Sequence, residues 1–424
     1  MSARVVLAVS IFALTLLLVL VRPRGWHEGF WAALGAVVAG AAGLIGWRDV
    51  VDVLAIAREP LLFLLGLLFL SKLVERSGFF EWAAARATRL AHGRGDALFR
   101  NIFVLGALTT ATLSLDTTAL LLTPLVLACV RRLDVPARPY VLACAFVANG
   151  ASLLLPISNL TNLLFATRFG FTFASYAARM LVPQIVALLV TYGVLRRLVA
   201  RDLRPFDPAR CGDAAAAIAH PGFFRAAWAV LAATLVAYFI APRLGVPAYA
   251  VTFASCIVLA IGSRGSGRVD ATILREVAWG VFPFVLGLFV VVRGLENVGL
   301  ARMAAAAIGR VPGPGATRVL LLAGATTVGS NLANNLPAAL FARSALVTAG
   351  ASPGDVAAAL IGLDVGPNVF VFASLATMLV VDIARNAGAP LASGDLVRAG
   401  LRVTPLAVLA AAAALLLEQM LFGG

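Results

Sequence analysis

Two aspartates lie in stretches of sequence that are otherwise apolar enough to cross a membrane. Asp116 stands in "SLDTT" (114–118) and Asp364 in "LIGLDVGPN" (360–368). A carboxylate inside a membrane segment is a functional hypothesis by default, because its burial there is costly. Burial favours the neutral acid, so such a group can take up and release a proton. The alternative is a structural carboxylate that is hydrogen-bonded to the backbone of a hairpin.

Amide and hydroxyl side chains cluster around the same regions. The stretch "SNLANNLPAALFA" (330–342) places three asparagines and a proline in an apolar segment, and "NGASLLLPISNLTNLL" (149–164) is similar. Unpaired amides in hydrocarbon cost several kcal/mol, so these groups need buried partners or a cavity. Proline breaks a helix, and half-helix N-termini present free N–H groups. The predicted binding residues are Asp116, Thr117, Thr118, Asn149, Ser158, Asn159, Asn334, Asn335, Asp364 and Ser374.

Each of these polar residues also has a purely structural interpretation. Ser and Thr in membrane helices often bond only to their own backbone, and Asn often joins one helix to another. We predict that Asp116 and Asp364 carry the coupling proton, alone or together. The asparagines at predicted helix breaks are the next strongest candidates.

Metal, cofactor and enzyme chemistry find little support in the sequence. The four cysteines show no CxxC or other metal-ligand spacing, and the three histidines form no cluster. A thiol site for a soft metalloid is the alternative for the cysteines. There is no HExxH or GxSxG motif and no paired nucleophile and base. The sequence predicts no metal, no cofactor and no enzyme activity.

The composition is that of a membrane protein. Of 424 residues, 61% are hydrophobic and 13% are charged, whereas soluble domains are about 45–50% apolar and about 25% charged. The net charge of +14 comes mostly from arginines in short loops, which is the positive-inside pattern rather than a nucleic-acid-binding surface. We therefore expect an all-α polytopic protein of a bacterial or archaeal inner membrane.

Apolar segments divide the chain into about ten spanning helices and two interrupted regions, since a span needs about 20 residues. The interrupted regions, 101–130 and 318–348, each contain two short apolar halves that meet at a polar tip. Such halves predict re-entrant helical hairpins, which are tolerated where protein or a cavity shields the tip. Regions 140–165 and 355–381 predict broken helices. The segment "VVLAVSIFALTLLLVLV" (5–21) predicts a retained first helix.

The two halves of the chain resemble each other. Three pairs of stretches align: 66–78 with 287–299, 106–120 with 324–338, and 149–164 with 364–379. These alignments set Asp116 opposite Asn334, and Asn149 opposite Asp364. With the N-terminus outside, the inside loops hold most of the basic residues, and the two repeats enter the membrane from opposite sides. We therefore predict inverted structural repeats, as in many secondary transporters.

The predicted division of the chain follows from this duplication. It comprises N-terminal scaffold helices over 1–54, a first repeat over 55–200, a loop with two helices over 201–271, and a second repeat over 272–424. The basic segment "RRLVARDLRPFDPAR" (196–210) predicts a cytoplasmic loop, and "FFEWAAARATRLAHGR" (79–94) an interfacial helix on the inner face.

Four stretches resemble the ArsB arsenite/antimonite efflux family of the ion transporter superfamily. They are "DTTALLLTP" (116–124), "ANGASLLLPISNLTNLLFA" (148–166), "NNLPAALFA" (334–342) and "ALIGLDVGPNVFVFASLATMLV" (359–380). The resemblance implies the inverted-repeat fold, export of trivalent arsenic or antimony in exchange for protons, and an ATPase subunit as partner in some systems. By matching position it implies a site formed by Asp116, Ser158, Asn159, Asn334, Asn335, Asp364 and Ser374.

The chain departs from the family pattern at two positions. The family's Asn-Asn-Asp-Gly run at the first tip reads Ser114-Leu115-Asp116-Thr117 here, and Asn368 replaces a frequent lysine. These changes bear on the substrate. Arsenous acid is a small uncharged trihydroxide, which amides, hydroxyls and a carboxylate can bind without arginine. The nearest arginines, Arg168 and Arg343, are expected toward helix ends.

We therefore predict a secondary transporter that exports arsenite and antimonite across the inner membrane in exchange for protons by alternating access. Its expected partners are the metalloid, protons and the lipid bilayer. The main alternative is a relative that carries a dicarboxylate with Na⁺ or exchanges Na⁺ for H⁺, which a Na⁺ requirement would identify. A passive channel, which would ignore an imposed proton gradient, is a further alternative.

Overall fold

The structure is a computed structural model that describes residues 3–313 and 315–422. All regular elements of the described residues are helices. In the first half they are α1 (Ala3–Val21), α2 (Glu28–Ala41), α3 (Trp47–Arg76), α4 (Phe79–Arg89), α5 (Gly95–Thr112), α6 (Leu115–Thr117), α7 (Thr123–Arg132), α8 (Arg138–Gly150), α9 (Leu160–Phe169) and α10 (Phe173–Val199). In the second half they are α11 (Pro221–Ile240), α12 (Ala248–Gly262), α13 (Ile273–Glu276), α14 (Val281–Asn297), α15 (Leu300–Gly309), α16 (Ala316–Ala333), α17 (Asn335–Thr348), α18 (Pro353–Asp364), α19 (Leu375–Asn386) and α20 (Ser393–Phe422).

Six helical stretches within the described residues are long and apolar enough to cross a membrane. They contain α1, α3, α10, α11, α14 and α20, and the shorter helices α2, α12 and α15 are also apolar. The prediction of an all-helical, multi-pass membrane chain is confirmed at this level. The count of about ten spans stays a prediction, because the interrupted segments fall below spanning length.

Both interrupted regions turn at a polar residue between two helical arms. In the first, α5 ends at Thr112, and Ser114 accepts a hydrogen bond from the Thr117 N–H at the start of α6. A π-helical segment, Thr118–Leu122, joins α6 to α7. In the second, Asn334 separates α16 from α17 with φ = 70° and ψ = 149°, an extended conformation with positive φ that residues other than glycine rarely adopt. Ser114 and Asn334 both cap the second arm of their hairpins. Ser114 is therefore the counterpart of Asn334, and the alignment that set Asp116 opposite Asn334 is wrong by two residues.

Each hairpin is followed by a helix that is broken in its middle. Non-helical residues 151–159 separate α8 from α9, and residues 365–374 separate α18 from α19. Each break contains one short 3₁₀ turn, Pro156–Ser158 in the first and Val371–Ala373 in the second. The elements follow the same order in both halves, and their lengths and gaps differ by a few residues.

The same order of helices extends over the rest of the chain. Gly78 and Gly299 precede α4 and α15, and both have a left-handed φ (83° and 88°) that favours glycine. The halves also pack into each other, because α2 lies against α14 and α12 lies against α3. Gly287 of α14 lets the backbone of α2 approach closely, since a β-carbon there would lie 2.4 Å from the Ala32 carbonyl carbon.

Candidate functional site

Asp364 is the last residue of α18, where the second broken helix is interrupted, and it is fully buried. Its Oδ1 accepts hydrogen bonds from Asn159 Nδ2 and Thr161 Oγ1, both at 2.9 Å. Its Oδ2 is buried and has no hydrogen-bond partner among the described residues. A buried carboxylate oxygen without a partner is unfavourable unless it is protonated or bound by a solute or water. One oxygen is therefore fixed, and the other is free to carry a proton.

Asn159 connects this carboxylate to the first broken helix. It caps α9, where its Oδ1 accepts a hydrogen bond from the Thr161 N–H at 3.3 Å. The same amide donates to Asp364 and, at 3.4 Å, to Ser152 Oγ. Ser374 occupies the corresponding cap of α19, but its buried Oγ has no partner among the described residues. The two half-helix starts thus present a satisfied amide and an unsatisfied hydroxyl.

Asn149 joins the two broken helices. Its Nδ2 lies within hydrogen-bond distance of Pro367 O (3.1 Å), Asn368 Oδ1 (2.9 Å) and Thr377 Oγ1 (2.8 Å). Its Oδ1 is buried and has no partner among the described residues. Asn149 therefore acts as a brace between the breaks, and one acceptor remains available.

Asn334 and Asn335 lie at the tip of the second hairpin. Asn334 Oδ1 accepts from the Leu336 N–H at 3.2 Å, and its Nδ2 donates to Phe372 O at 2.9 Å. Asn335 is 5% exposed, and its side chain makes no hydrogen bond within the described part of the chain. Asn334 thus fixes the tip against the second broken helix, and Asn335 keeps a free amide.

Asp116 lies in the first turn after the tip of the first hairpin, and its carboxylate makes no hydrogen bond or ion pair within the described residues. It lines a cavity of about 40 Å³ between the two hairpin tips and the two half-helix starts. The polar residues lining this cavity are Asp116, Asn159, Thr161, Asn334, Asn335 and Ser374. Leu64, Val281 and Phe284 of the neighbouring helices close it with apolar surface. Asp364 lies behind this wall and contacts it through Asn159 and Thr161.

Three predicted residues of the first half hold the hairpin instead of lining the cavity. Thr117 Oγ1 is 2.8 Å from Ser71 Oγ of α3, and Thr118 Oγ1 is 2.7 Å from Thr110 Oγ1 of α5. Ser158 Oγ donates to the Ala111 carbonyl at 2.9 Å. These three hydroxyls fix the first tip against its surroundings.

The predicted set omits Thr161, which the structure places in the cavity wall and on Asp364. Its position two residues after the Asn159 cap was the available signal, since it falls in the first turn of the half-helix. Asn331 is also outside the set. Its Nδ2 donates to Gly366 O at 2.8 Å and its Oδ1 accepts from the Val369 N–H at 3.0 Å, so it satisfies backbone groups freed by the second break.

Arginine is not among the residues that line the cavity within the described part of the chain. Arg168 lies in the last turn of α9, as expected. Arg343 lies inside α17, outside its last turn, and is partly buried. The prediction that Arg343 lies toward a helix end is therefore wrong. The candidate site is therefore a small pocket of amides, hydroxyls and one carboxylate, with a second carboxylate bonded to its wall.

Buried polar groups between two helical hairpins and two broken helices, within a bundle of apolar helices, are an arrangement typical of multi-pass membrane transporters. The family model described as "Arsenical pump membrane protein" matches residues 7–417. The chain therefore belongs to the ArsB family of membrane transporters.

Individual relatives agree with this assignment. The chain is 33% identical to an arsenical pump membrane protein of Escherichia coli over 408 residues, which cover 94% of this chain and 95% of that protein. It is 34% identical to one from Yersinia enterocolitica over the same shares of both chains. An uncharacterised transporter of Mycobacterium tuberculosis is 27% identical over 92% of this chain and 93% of its own.

Two solved structures with a similar fold are those of a transporter and an efflux pump. The Alcanivorax borkumensis YdaH transporter superposes with a TM-score of 0.60 at 17% identity and covers 99% of both chains. Neisseria gonorrhoeae MtrF, described as one of a class of antimetabolite efflux pumps, gives a TM-score of 0.58 at 14% identity, with 98% of this chain and 95% of that chain covered. At these identities the likeness shows the fold alone.

Proposed function

We propose that this protein exports arsenite and antimonite across the inner membrane in exchange for protons by alternating access. Family membership supports the substrate class. The observation that carries the proton coupling is Asp364, a fully buried carboxylate with Oδ1 held by Asn159 and Thr161 and Oδ2 without a partner. Asp116, on the cavity wall, is the second candidate for the proton.

The chemistry of the cavity suits an uncharged trihydroxide. Asn335 and Ser374 offer side-chain groups that have no hydrogen-bond partner among the described residues, and Asp116 supplies an acceptor when ionised. At about 40 Å³ the cavity has room for roughly three water positions. Binding therefore requires the hairpin tips to separate, and protonation of the carboxylates would compete with the substrate for the same groups.

We further propose that the two halves are inverted repeats and that the hairpins and broken helices move against α3 and α14. The repeated order of helices supports this arrangement, as does the position of the cavity between the halves. A pocket at the junction of two repeats can open to either side of the membrane by a rocking motion. Proton uptake at Asp364 or Asp116 would then be coupled to the direction in which the pocket opens.

The test is metalloid uptake into everted membrane vesicles under an imposed proton gradient, without Na⁺ or ATP. Wild type should accumulate arsenite or antimonite, and a protonophore should abolish the uptake. Asp364→Asn and Asp116→Asn should each fall below about a tenth of the wild-type rate if the residue carries the proton, which corresponds to a loss of about 1.4 kcal/mol or more. Asp134→Asn, a largely exposed aspartate beyond α7, is the matched control and should keep wild-type uptake.

The outcomes separate the alternatives. Absence of metalloid uptake by folded wild type would contradict the proposal. A requirement for added Na⁺ would favour a Na⁺-coupled carrier, and dicarboxylates would then be tested in the same vesicles. Uptake that appears only with ATP and an added ATPase subunit would make that partner obligatory. Wild-type rates in both aspartate variants would contradict the assignment of the proton sites.

A further inference from the structure

An apolar groove lies outside the candidate transport site, between α4, α5 and α11. It has a volume of about 720 Å³, and its walls are almost entirely apolar. Val104 and Leu108 of α5 form one wall, and Leu231 and Leu235 of α11 form the other. None of these residues lines the cavity at the hairpin tips. The groove therefore offers a separate binding surface.

One end of this groove is cationic. Arg86 of α4 and Arg100 of α5 line it, and both are exposed. Neither arginine forms an ion pair with a carboxylate of the described residues. By contrast, the nearby Arg89 pairs with Asp213 at 3.1 Å, and Arg94 pairs with Asp96 at 3.1 Å. Arg100 donates to the neutral Asn101 Oδ1 at 3.3 and 3.4 Å, so both arginines keep an uncompensated charge for an anionic group from outside the chain.

Aromatic side chains lie along the groove on α4 and α11. Trp82 and Trp228 have ring centroids 5.8 Å apart, and Phe79 lies 5.0 Å from Trp228. Trp is enriched where a membrane protein crosses the interface between lipid and water. Asn101, which also lines the groove, donates to the Ala87 carbonyl at 2.9 Å and ties α5 to α4. The cationic end is therefore held in place by contacts between helices.

The length of the groove fits one leaflet of a bilayer. The wall on α5 runs from Arg100 to Thr112, which is about 18 Å at 1.5 Å per residue. Half of a hydrocarbon core about 30 Å thick is about 15 Å. A single acyl chain can thus run from the arginines to the hairpin tip beside Leu113.

Among the described residues of the second half, the two positions that match Arg86 and Arg100 carry no arginine. Helix α15 corresponds to α4, and α16 corresponds to α5. When each pair is aligned at its first residue, Ala307 stands at the position of Arg86 and Leu321 at the position of Arg100. A general preference of the bilayer for apolar surface would act on both halves alike. Arg302 and Arg310, in and just after α15, are also exposed and without an ion pair among the described residues, but they do not stand at the positions that match Arg86 and Arg100.

We infer that this groove binds one phospholipid with an anionic headgroup. The headgroup lies between Arg86 and Arg100, and an acyl chain lies between α5 and α11. Because α5 is an arm of the first hairpin, the bound lipid forms part of the surface against which that hairpin packs. Lipid binding in the groove is independent of the identity of the transported solute.

The test is tryptophan quenching by brominated lipid in nanodiscs of the full-length protein in phosphatidylcholine. Brominated phosphatidylglycerol should quench more strongly than brominated phosphatidylcholine at the same mole fraction. The Trp82→Phe/Trp228→Phe variant lacks the two groove tryptophans, so the quenching that it loses measures lipid bound in the groove. Arg86→Gln/Arg100→Gln should weaken the binding of phosphatidylglycerol about fivefold for each arginine.

The matched control is Arg197→Gln/Arg201→Gln. These arginines are exposed and unpaired within the described residues, and they lie at the same end of the molecule, where Arg196 approaches Asp96 at 3.9 Å. The control removes the same charge outside the groove and should retain the preference for phosphatidylglycerol. Ala232→Phe, which adds a ring at an exposed groove position, should reduce quenching by both lipids.

Three results would overturn the inference. Equal quenching of wild type by the two lipids would mean that the groove holds ordinary bilayer lipid. Equal loss in the two double arginine variants would mean that the preference comes from diffuse positive charge. A dimer that covers Trp82 and Trp228 and excludes both lipids would make a second copy of this chain the occupant.

Discussion

At the residue scale, the asparagine side chains of the site have two roles. Some form hydrogen bonds that join helices, and others line the cavity. Asn149 and Asn331 are occupied by partners across the helix breaks, whereas Asn335 is buried without a hydrogen bond within the described residues. Asn159 does both, because it caps α9 and holds Asp364. Substitution of a brace should therefore lower stability, and substitution at the cavity should lower transport.

Thr161→Val and Thr117→Val apply the same substitution to the two kinds of position. Thr161 Oγ1 donates to Asp364, so its loss leaves the buried carboxylate with one fewer donor and should reduce metalloid uptake at least about tenfold. Thr117 bonds to Ser71, so Thr117→Val should cost about 1 kcal/mol of stability and leave most of the uptake. Vesicle uptake and thermal unfolding in detergent measure both effects. Equal uptake by the two variants would contradict the separation of roles.

Asn159→Ala removes the cap of α9 and a donor to Asp364 in one change. Loss of a cap costs about 1 kcal/mol, and an unsatisfied buried group costs about 1–3 kcal/mol more. We expect a lower unfolding temperature and loss of uptake. Asn159→Ser retains a capping oxygen but is too short to keep the amide bond to Asp364, so it should restore stability more than transport. Recovery of both properties in Asn159→Ser would show that the cap alone matters.

At the element scale, close backbone approach holds the second hairpin to the second broken helix. Gly362 of α18 lies against α16, and a β-carbon there would lie 2.1 Å from Thr326 Oγ1 and 2.2 Å from Ala323 O. Thr326 Oγ1 also lies 3.0 Å from the Ala359 carbonyl, across the same contact. The position of Asp364, two residues beyond Gly362, depends on this packing.

Gly362→Ala should therefore force α16 and α18 apart, at a cost of about 1–3 kcal/mol. Gly324→Ala on α16 is the matched control, because no atom lies within 4 Å of a β-carbon at that position. The control should be neutral or slightly stabilising, since alanine favours helix over glycine. Thermal unfolding of the two purified variants measures the difference. An unfolding temperature for Gly362→Ala equal to that of the control would contradict the close packing.

At the scale of the whole molecule, the orientation in the membrane sets the direction of transport. The basic segment between α10 and α11 is predicted to face the cytoplasm, and it contains Cys211. Cys144 is buried, and Cys129, Cys211 and Cys256 are partly buried, but Cys211 alone of the four lies outside the helices α1 to α20. Cys211 is thus a native reporter for one face of the protein.

A variant that retains only Cys211 should react with a membrane-impermeant maleimide in everted vesicles and not in intact cells. The other cysteines are replaced by alanine, and a variant without any cysteine is the control. Partial burial raises the pKa of the Cys211 thiol, so its thiolate fraction and labelling rate should increase as the pH rises above neutrality. Labelling in intact cells alone would reverse the predicted topology.

The sequence by itself determined the class of protein and the positions of its breaks. Composition and segment length predicted helices in a membrane because no water is present there to satisfy exposed backbone groups. Polar residues within apolar runs marked both hairpin tips and both broken helices, since Pro156 and Asn334 interrupt helices by local chemistry. These features depend on neighbours along the chain, so the sequence predicts them without knowledge of the fold.

Only the tertiary structure determined the hydrogen-bond partner of each polar group. Thr117 and Thr161 are alike in the sequence, yet one bonds to Ser71 and the other to Asp364. The bond from Asn159 to Asp364 Oδ1 and the packing of α2 against α14 likewise join residues more than two hundred positions apart. Hydrogen bonding and close packing act over a few ångströms in space, and the separation of residues along the chain does not predict that distance.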